Sequence, residues 1–266
     1  MIMTRHFIAL LLGATLATSC TPPESSTQVT QPMVSKAGTN DAQHGVSTMV
    51  LYRPANSTFY VRHGDDGQAA SELGFGAPGD IPLWADFNGD GKNVPGLYRN
   101  GRWLISSHAD STADVEIDFG GAPGDVPLAA DIDGDGRADL VIFRNGQWIV
   151  RGTRDPSRLL NFQFGQAGDI PVLADFDGSG KIDLAVFRHG QWFIDTERNG
   201  TAKMTLNFGG SADRFPIASH NTGTHGSSPA LFRDGMWIVG TAANAPMIEV
   251  AFGASGDIPV FLETKD

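Results

Sequence analysis

The densest chemistry in the sequence is Asp131-Ile132-Asp133-Gly134-Asp135-Gly136-Arg137-Ala138-Asp139, four carboxylates within nine residues. Packed together, such groups repel one another unless a cation lies between them. Side-chain oxygens from Asp131, Asp133, Asp135 and Asp139, with the backbone carbonyl of Arg137, supply the all-oxygen shell that Ca2+ takes. Gly136 permits the sharp turn that such a loop needs. This is not an EF-hand: its twelfth position is Ile142, where that motif places Glu. Strand patterns flank the loop, where that motif has helices.

Two other stretches repeat the pattern with losses. Asp175, Asp177, Ser179, the carbonyl of Lys181 and Asp183 form a second set, in which Ser179 removes one carboxylate. Asp86, Asn88 and Asp90 form a third, with Val94 where the last acid should stand. Affinity should fall in that order. A fourth copy, from Ser219 to His225, has lost its carboxylates. Acidic, Gly-rich turns also occur without metal.

These loops belong to a repeat. The segment FGAPGDIP (75–82) recurs as FGGAPGDVP (119–127), FGQAGDIP (164–171), FGGSADRFP (208–216) and FGASGDIP (252–259). A second motif keeps step: LYRPANSTFYV (51–61), LYRNGRWLI (97–105), IFRNGQWIV (142–150), VFRHGQWFI (186–194) and LFRDGMWIV (231–239). Residues 47–266 hold five units of about 44 residues, a period that marks a propeller blade. One unit reads as four short strands, 126–131, 138–144, 147–151 and 159–165, separated by turn residues. Asn145-Gly146 between two apolar runs signals a two-residue hairpin, as do Asn100-Gly101, His189-Gly190 and Asp234-Gly235.

The phase of the repeat predicts how the ring closes. The repeat region opens with a second-strand signal (48–53) and ends with a first-strand signal (258–262). The expected fold class is all-β: a five-bladed β-propeller of four-stranded repeats, closed by the C-terminal strand. Closure removes the open sheet edges that an arc of blades would expose.

The combination of the FG-x-A/G-G-D-I-P, D-x-D-G-D-G and FR-x-G-x-W motifs resembles the FG-GAP/VCBS-type repeats of bacterial surface proteins. It is also similar to the integrin alpha-subunit propeller repeat. The resemblance covers residues 47–266 and implies a propeller with calcium loops between the first two strands of a blade.

Arg53, Arg99, Arg144, Arg188 and Arg233 occur once per unit, followed by Phe59, Trp103, Trp148, Trp192 and Trp237. A residue needed in every unit points to packing between repeats. Arg should then pair with the aspartates of the Gly-Asp-x-Pro turns, Asp80, Asp125, Asp169 and Asp257. The competing reading is sugar stacking at each Trp. Departures from the repeat are the better candidates for a ligand site. Trp84 is the foremost, set against small residues near Ala130, Ala174 and Ala218, and His189, His220 and His225 are others.

The N-terminus reads as an address. Residues 1–19 carry Arg5 and then an apolar run of about ten residues, too short to span a bilayer, as in a secretion signal. The lone Cys20 follows and resembles the lipidated cysteine of bacterial lipoproteins; ordinary signal cleavage would cut the same bond. Thr21 in place of Asp implies, by the same resemblance, the outer membrane. Residues 20–46, rich in Pro, Ser, Thr and Gln, read as a flexible tether.

Composition limits the partners. The net charge of −11 excludes the basic footprint that nucleic acid requires. One cysteine rules out an internal disulfide and a thiolate metal cluster. No G-x-S-x-G, H-E-x-x-H, Walker or Rossmann signature is present, so the sequence does not read as an enzyme. The expected role is a lipid-anchored, calcium-binding interaction or adhesion module, or an envelope-assembly subunit, with a protein or glycan ligand at the cell surface. A lectin with sites repeated around the ring is the alternative, and a polysaccharide-active enzyme a more distant one.

Overall fold

The computed structural model describes residues 48–62, 71–220, 226–240 and 247–260. The signal segment, Cys20, the tether, residues 221–225 and the last six residues lie outside them. Every described element is a strand or a turn, as expected where Gly and Pro punctuate the chain so evenly. The strands form five four-stranded antiparallel sheets.

Blade 2 holds β4 (Ile81–Ala85), β5 (Val94–Arg99), β6 (Arg102–Ile105) and β7 (Val115–Asp118). Blade 3 holds β8 (Val126–Ala130), β9 (Asp139–Arg144), β10 (Gln147–Arg151) and β11 (Leu159–Gln163). Blade 4 holds β12 (Ile170–Ala174), β13 (Asp183–Arg188), β14 (Gln191–Asp195) and β15 (Met204–Asn207). Blade 5 holds β16 (Pro216–His220), β17 (Ser227–Arg233), β18 (Met236–Val239) and β19 (Ile248–Ala251). Blade 1 is built from both ends of the repeat region: β1 (Met49–Arg53), β2 (Thr58–Arg62) and β3 (Ser71–Gly74) receive β20 (Ile258–Val260) as their inner strand. β20 pairs antiparallel with β1, Leu51 opposite Pro259, and this is the clasp that the repeat phase predicts.

Closure is also visible in the core. Five apolar clusters lie one at each seam between neighbouring blades, where an open arc of five blades would have four. The seam between blades 5 and 1 joins Phe232, Trp237 and Val250 to Met49, Leu51 and Tyr60. Both faces of each sheet are therefore buried, so inner strands read as apolar runs rather than as alternating ones.

The two-residue hairpins form as their sequences demand. Asn145 and Gly146 have φ of 52° and 89°, the paired left-handed conformation of a type I′ turn, which Asn and Gly adopt readily. Trp148 is fully buried and its Nε1 donates to the carbonyl of Phe164 at 2.9 Å. Trp103, Trp192 and Trp237 repeat this bond to Phe119, Phe208 and Phe252. The recurrent tryptophans are thus packing residues, with no ring face open for a sugar.

Arg53, Arg99, Arg144, Arg188 and Arg233 each fork onto a buried aspartate: Asp257, Asp80, Asp125, Asp169 and Asp213. The same aspartate also accepts the backbone N–H three residues before it, which locks the connection between blades. Asp213 escapes the sequence motif because FGGSADRFP places one extra residue between its Asp and its Pro.

Candidate cation sites

Strand alternation decides what can meet. In an antiparallel four-stranded blade, the loop after the first strand and the loop after the third lie at one end. The hairpin and the blade-to-blade connection lie at the other. The acidic loops therefore share an end with the β10–β11 and β14–β15 loops, and the Arg–Asp pairs occupy the opposite end.

In the β8–β9 loop, Asp131 organises the turn. Its Oδ1 accepts the N–H groups of Gly134 and Asp135, and its Oδ2 that of Gly136. Asp139 opens β9 and is 1% exposed. Its Oδ2 accepts the N–H groups of Ile132 and Asp133, at 3.0 and 3.2 Å. Its Oδ1, also buried, has no hydrogen-bond partner among the described residues. One ligand oxygen each from Asp131, Asp133 and Asp139 lies within 4.8 Å of the others. Burial pushes the Asp139 carboxyl up to about 7; the charges of Asp133 and Asp131 add to this and the two backbone N–H groups oppose it.

The β12–β13 loop repeats this arrangement. Asp175 accepts the N–H groups of Gly178, Ser179 and Gly180. Asp183 is fully buried; its Oδ2 accepts the Phe176 N–H at 2.8 Å and its Oδ1 has no partner among the described residues. Asp175, Asp177 and Asp183 converge within the same 4.8 Å. Burial is again the main cause that raises Asp183, to about 7, with Asp177 and Asp175 contributing.

An unpartnered carboxylate oxygen in a buried site is costly unless a cation or proton satisfies it. Two loops leave the corresponding oxygen orphaned beside two further carboxylates, and hard oxygens in this number suit Ca2+. Where Ca2+ binds, Asp131, Asp133 and Asp139, or Asp175, Asp177 and Asp183, would hold it and it would supply charge neutralisation.

Other sequence-predicted residues fall elsewhere. Asp135 is outside the converging group, and its Oδ1 accepts the Arg137 N–H. Ser179 donates its backbone N–H to Asp175 and Asp177. Lys181 is exposed. In the β4–β5 loop, Asp86 keeps the turn bonds from Gly89, Asp90 and Gly91, and Asn88 donates to Asp90. Its ninth position is buried Val94, which brings no oxygen, and no third acid gathers there among the described residues. The stem of Arg137 also crosses this loop at Gly89.

Strand pairing corrects the alignment of Trp84, which matches Ala129, Leu173 and Ala218 rather than Ala130 and Ala174. Its ring packs 5.5 Å from Phe59, the one position where a repeat lacks its Trp, and lies partly buried in the seam of blades 1 and 2.

Sequence reading passed over three further groups at this end. Asp195-Thr-Glu197-Arg-Asn199-Gly200 in the β14–β15 loop has the spacing of an acidic loop. It shows the same turn bonds, Asn199 and Gly200 donating to Asp195. At its ninth position stands Lys203, whose ammonium pairs with Glu197. Arg198, from the same loop, donates to the carbonyls of Ile132 and Ile182 and so bridges the two candidate sites. Arg158 pairs with Asp133. The D-x-E-x-N-G spacing was a usable signal; the two arginines carry none, because their loops do not repeat.

No family model matches the sequence, and no curated protein does. Solved structures give distant likenesses. One is an Agrocybe aegerita lectin that recognises non-reducing terminal N-acetylglucosamine, with 16% identity and a TM-score of 0.45 over 77% of this chain and 62% of that one. Another is the Photorhabdus luminescens Tc holotoxin pore, with 16% identity and a TM-score of 0.45 over 83% of this chain and 12% of that one. A third is the Cps50 (Swd1) β-propeller domain of Myceliophteria thermophila, with 7% identity and a TM-score of 0.41 over 83% and 91%. The chain thus spans less than two thirds of the first two. The five-bladed assignment rests on the strand pairing and the five seams.

Proposed function

We propose that the chain is a non-catalytic, calcium-binding propeller, anchored to the bacterial envelope through Cys20, that presents a binding surface to a protein or glycan. The observation that carries the calcium reading is the pair of buried, unpartnered oxygens of Asp139 and Asp183, each on a carboxylate that converges with two others within 4.8 Å. The ions would act as pins between blades. Loops of adjacent blades already touch: Ala138 donates to the carbonyl of Asp86 at 2.8 Å, and Ser227 to that of Asp175 at 2.6 Å. The likeness of the repeats to FG-GAP/VCBS sequences supports a surface role.

A pull-down from envelope extract and a glycan array, each with calcium and with chelator, tests the reading. A protein or glycan retained in calcium and released by chelator is the expected result. Cleavage of an arrayed glycan would overturn the non-catalytic assignment, and retention indifferent to calcium would overturn the role of the ions.

A further inference from the structure

Resting on the calcium reading, we infer that Arg158 is a built-in competitor at the first loop, a tethered cation that weakens Ca2+ binding at Asp131, Asp133 and Asp139. Its Nη1 lies 3.0 Å from Asp133 Oδ2; the Asp133 side chain is 4% exposed and that of Arg158 is 50% exposed. The carboxylate is therefore fixed while its partner can swing into solvent.

The surrounding loop holds Arg158 over the site. The Gly152 N–H donates to the carbonyl of Arg158, and the Arg158 N–H to that of Asp155, so the β10–β11 turn is closed on itself. Thr153 Oγ1 donates to the carbonyl of Ala138 and Arg154 Nη1 to that of Asp135. Three successive contacts thus seat this turn on the acidic loop, and Arg158 contributes the charged one.

Among the described residues no arginine or lysine makes an ion pair with Asp175, Asp177 or Asp183, although the charges of Lys203 and Arg198 reach Asp177 and Asp183. Asp177, the counterpart of Asp133, accepts the backbone N–H of Ser179 at 3.1 Å. In the first loop, the carboxylate of Asp135 stays outside the converging group and Asp133 is paired with an arginine. The loop richer in acids in the sequence therefore has no charge advantage where the ion would sit.

A counter-cation and a supporting scaffold differ in the sign of the effect of removal. Deleting a positive charge beside a divalent ion strengthens ion binding, by roughly five- to tenfold for a half-exposed arginine in solvent-screened surroundings. Deleting a scaffold weakens it.

The test is calcium titration calorimetry on the full chain. Asp183→Asn silences the second loop so that the first reads alone. Adding Arg158→Gln should tighten binding roughly five- to tenfold, and adding Arg158→Lys should leave it near the parent value. In an Asp139→Asn background, Arg158→Gln should leave the second loop unchanged. Unchanged or weaker binding at the first loop on Arg158→Gln, while the chain binds calcium, overturns the inference alone. Absence of calcium binding in every variant overturns both the inference and the calcium reading beneath it.

Discussion

Arg53 and Asp257 stand 204 positions apart in the chain, yet their side chains meet through two parallel hydrogen bonds of 2.8 Å. Arg53 ends the first described strand, and Asp257 immediately precedes the last. The pair is the same Arg–Asp fork found inside every other blade, here made between the two ends of the repeat region. Blade 1 exists only when the ring is closed.

Asp257 is 2% exposed, so its removal leaves Arg53 facing a buried gap, whereas Arg53→Lys keeps the charge and loses the fork. Asp257→Ala should destabilise the protein by about 2–4 kcal/mol. Arg53→Lys should cost less, about 1–2 kcal/mol. Urea unfolding of the two variants measures both, and equal, near-zero losses would show that the clasp does not need the pair.

Calcium removal should lower the melting temperature. Extracellular calcium modules bind with dissociation constants near 10⁻⁴–10⁻³ M, which gives about 0.4–1.4 kcal/mol per site at millimolar calcium. Two sites in a domain of this size correspond to a shift of roughly 2–10 °C. Scanning calorimetry with and without chelator reads it directly. Asp131→Ala with Asp135→Ala should remove the first loop's share of the shift.

Without calcium, stability should fall as pH rises from 5 to 8. Asp139 and Asp183 are raised to about 7 in the folded state, against about 3.9 when unfolded. Their neutral forms favour the fold, so this contribution is complete below the unfolded value and disappears as pH passes the folded one. Asp125 and Asp213, held low by Arg144 and Arg233, lose their contribution only at more acidic pH, outside this window. Melting in chelator across that range checks the direction. Asp139→Asn with Asp183→Asn should flatten the curve, and millimolar calcium should make its slope shallower.

Cys20 should carry lipid. Metabolic labelling with palmitate is expected to mark the wild-type chain and miss Cys20→Ala. Absence of label from both would remove the anchor while leaving the propeller unaffected.

The fold was legible because each repeat spells its own turns. Asn145-Gly146 can adopt two consecutive positive φ values where few other pairs can, and the 44-residue period sets the blade. The off-phase start and finish made even the clasp readable. The site was legible only as a list of acids. That Asp139 and Asp183 each bury an oxygen without a hydrogen-bond partner depends on packing that sequence does not show, and Asp135 accepts a local backbone bond that its spacing does not reveal. Asp213 was hidden by a one-residue insertion. Trp84 was misaligned by one position because an alanine, Ala130 or Ala174, follows the correct position in blades 3 and 4. Arg158 and Arg198 come from loops unique to their blades, so no repetition announced them.

Direct counting of bound calcium bears on the two-loop site without intermediaries. Equilibrium dialysis of the full chain, extrapolated to saturating calcium, should give two ions per molecule, one in Asp139→Asn, one in Asp183→Asn and none in the double variant. No bound calcium in the wild type, or two ions still held by the double variant, would contradict it.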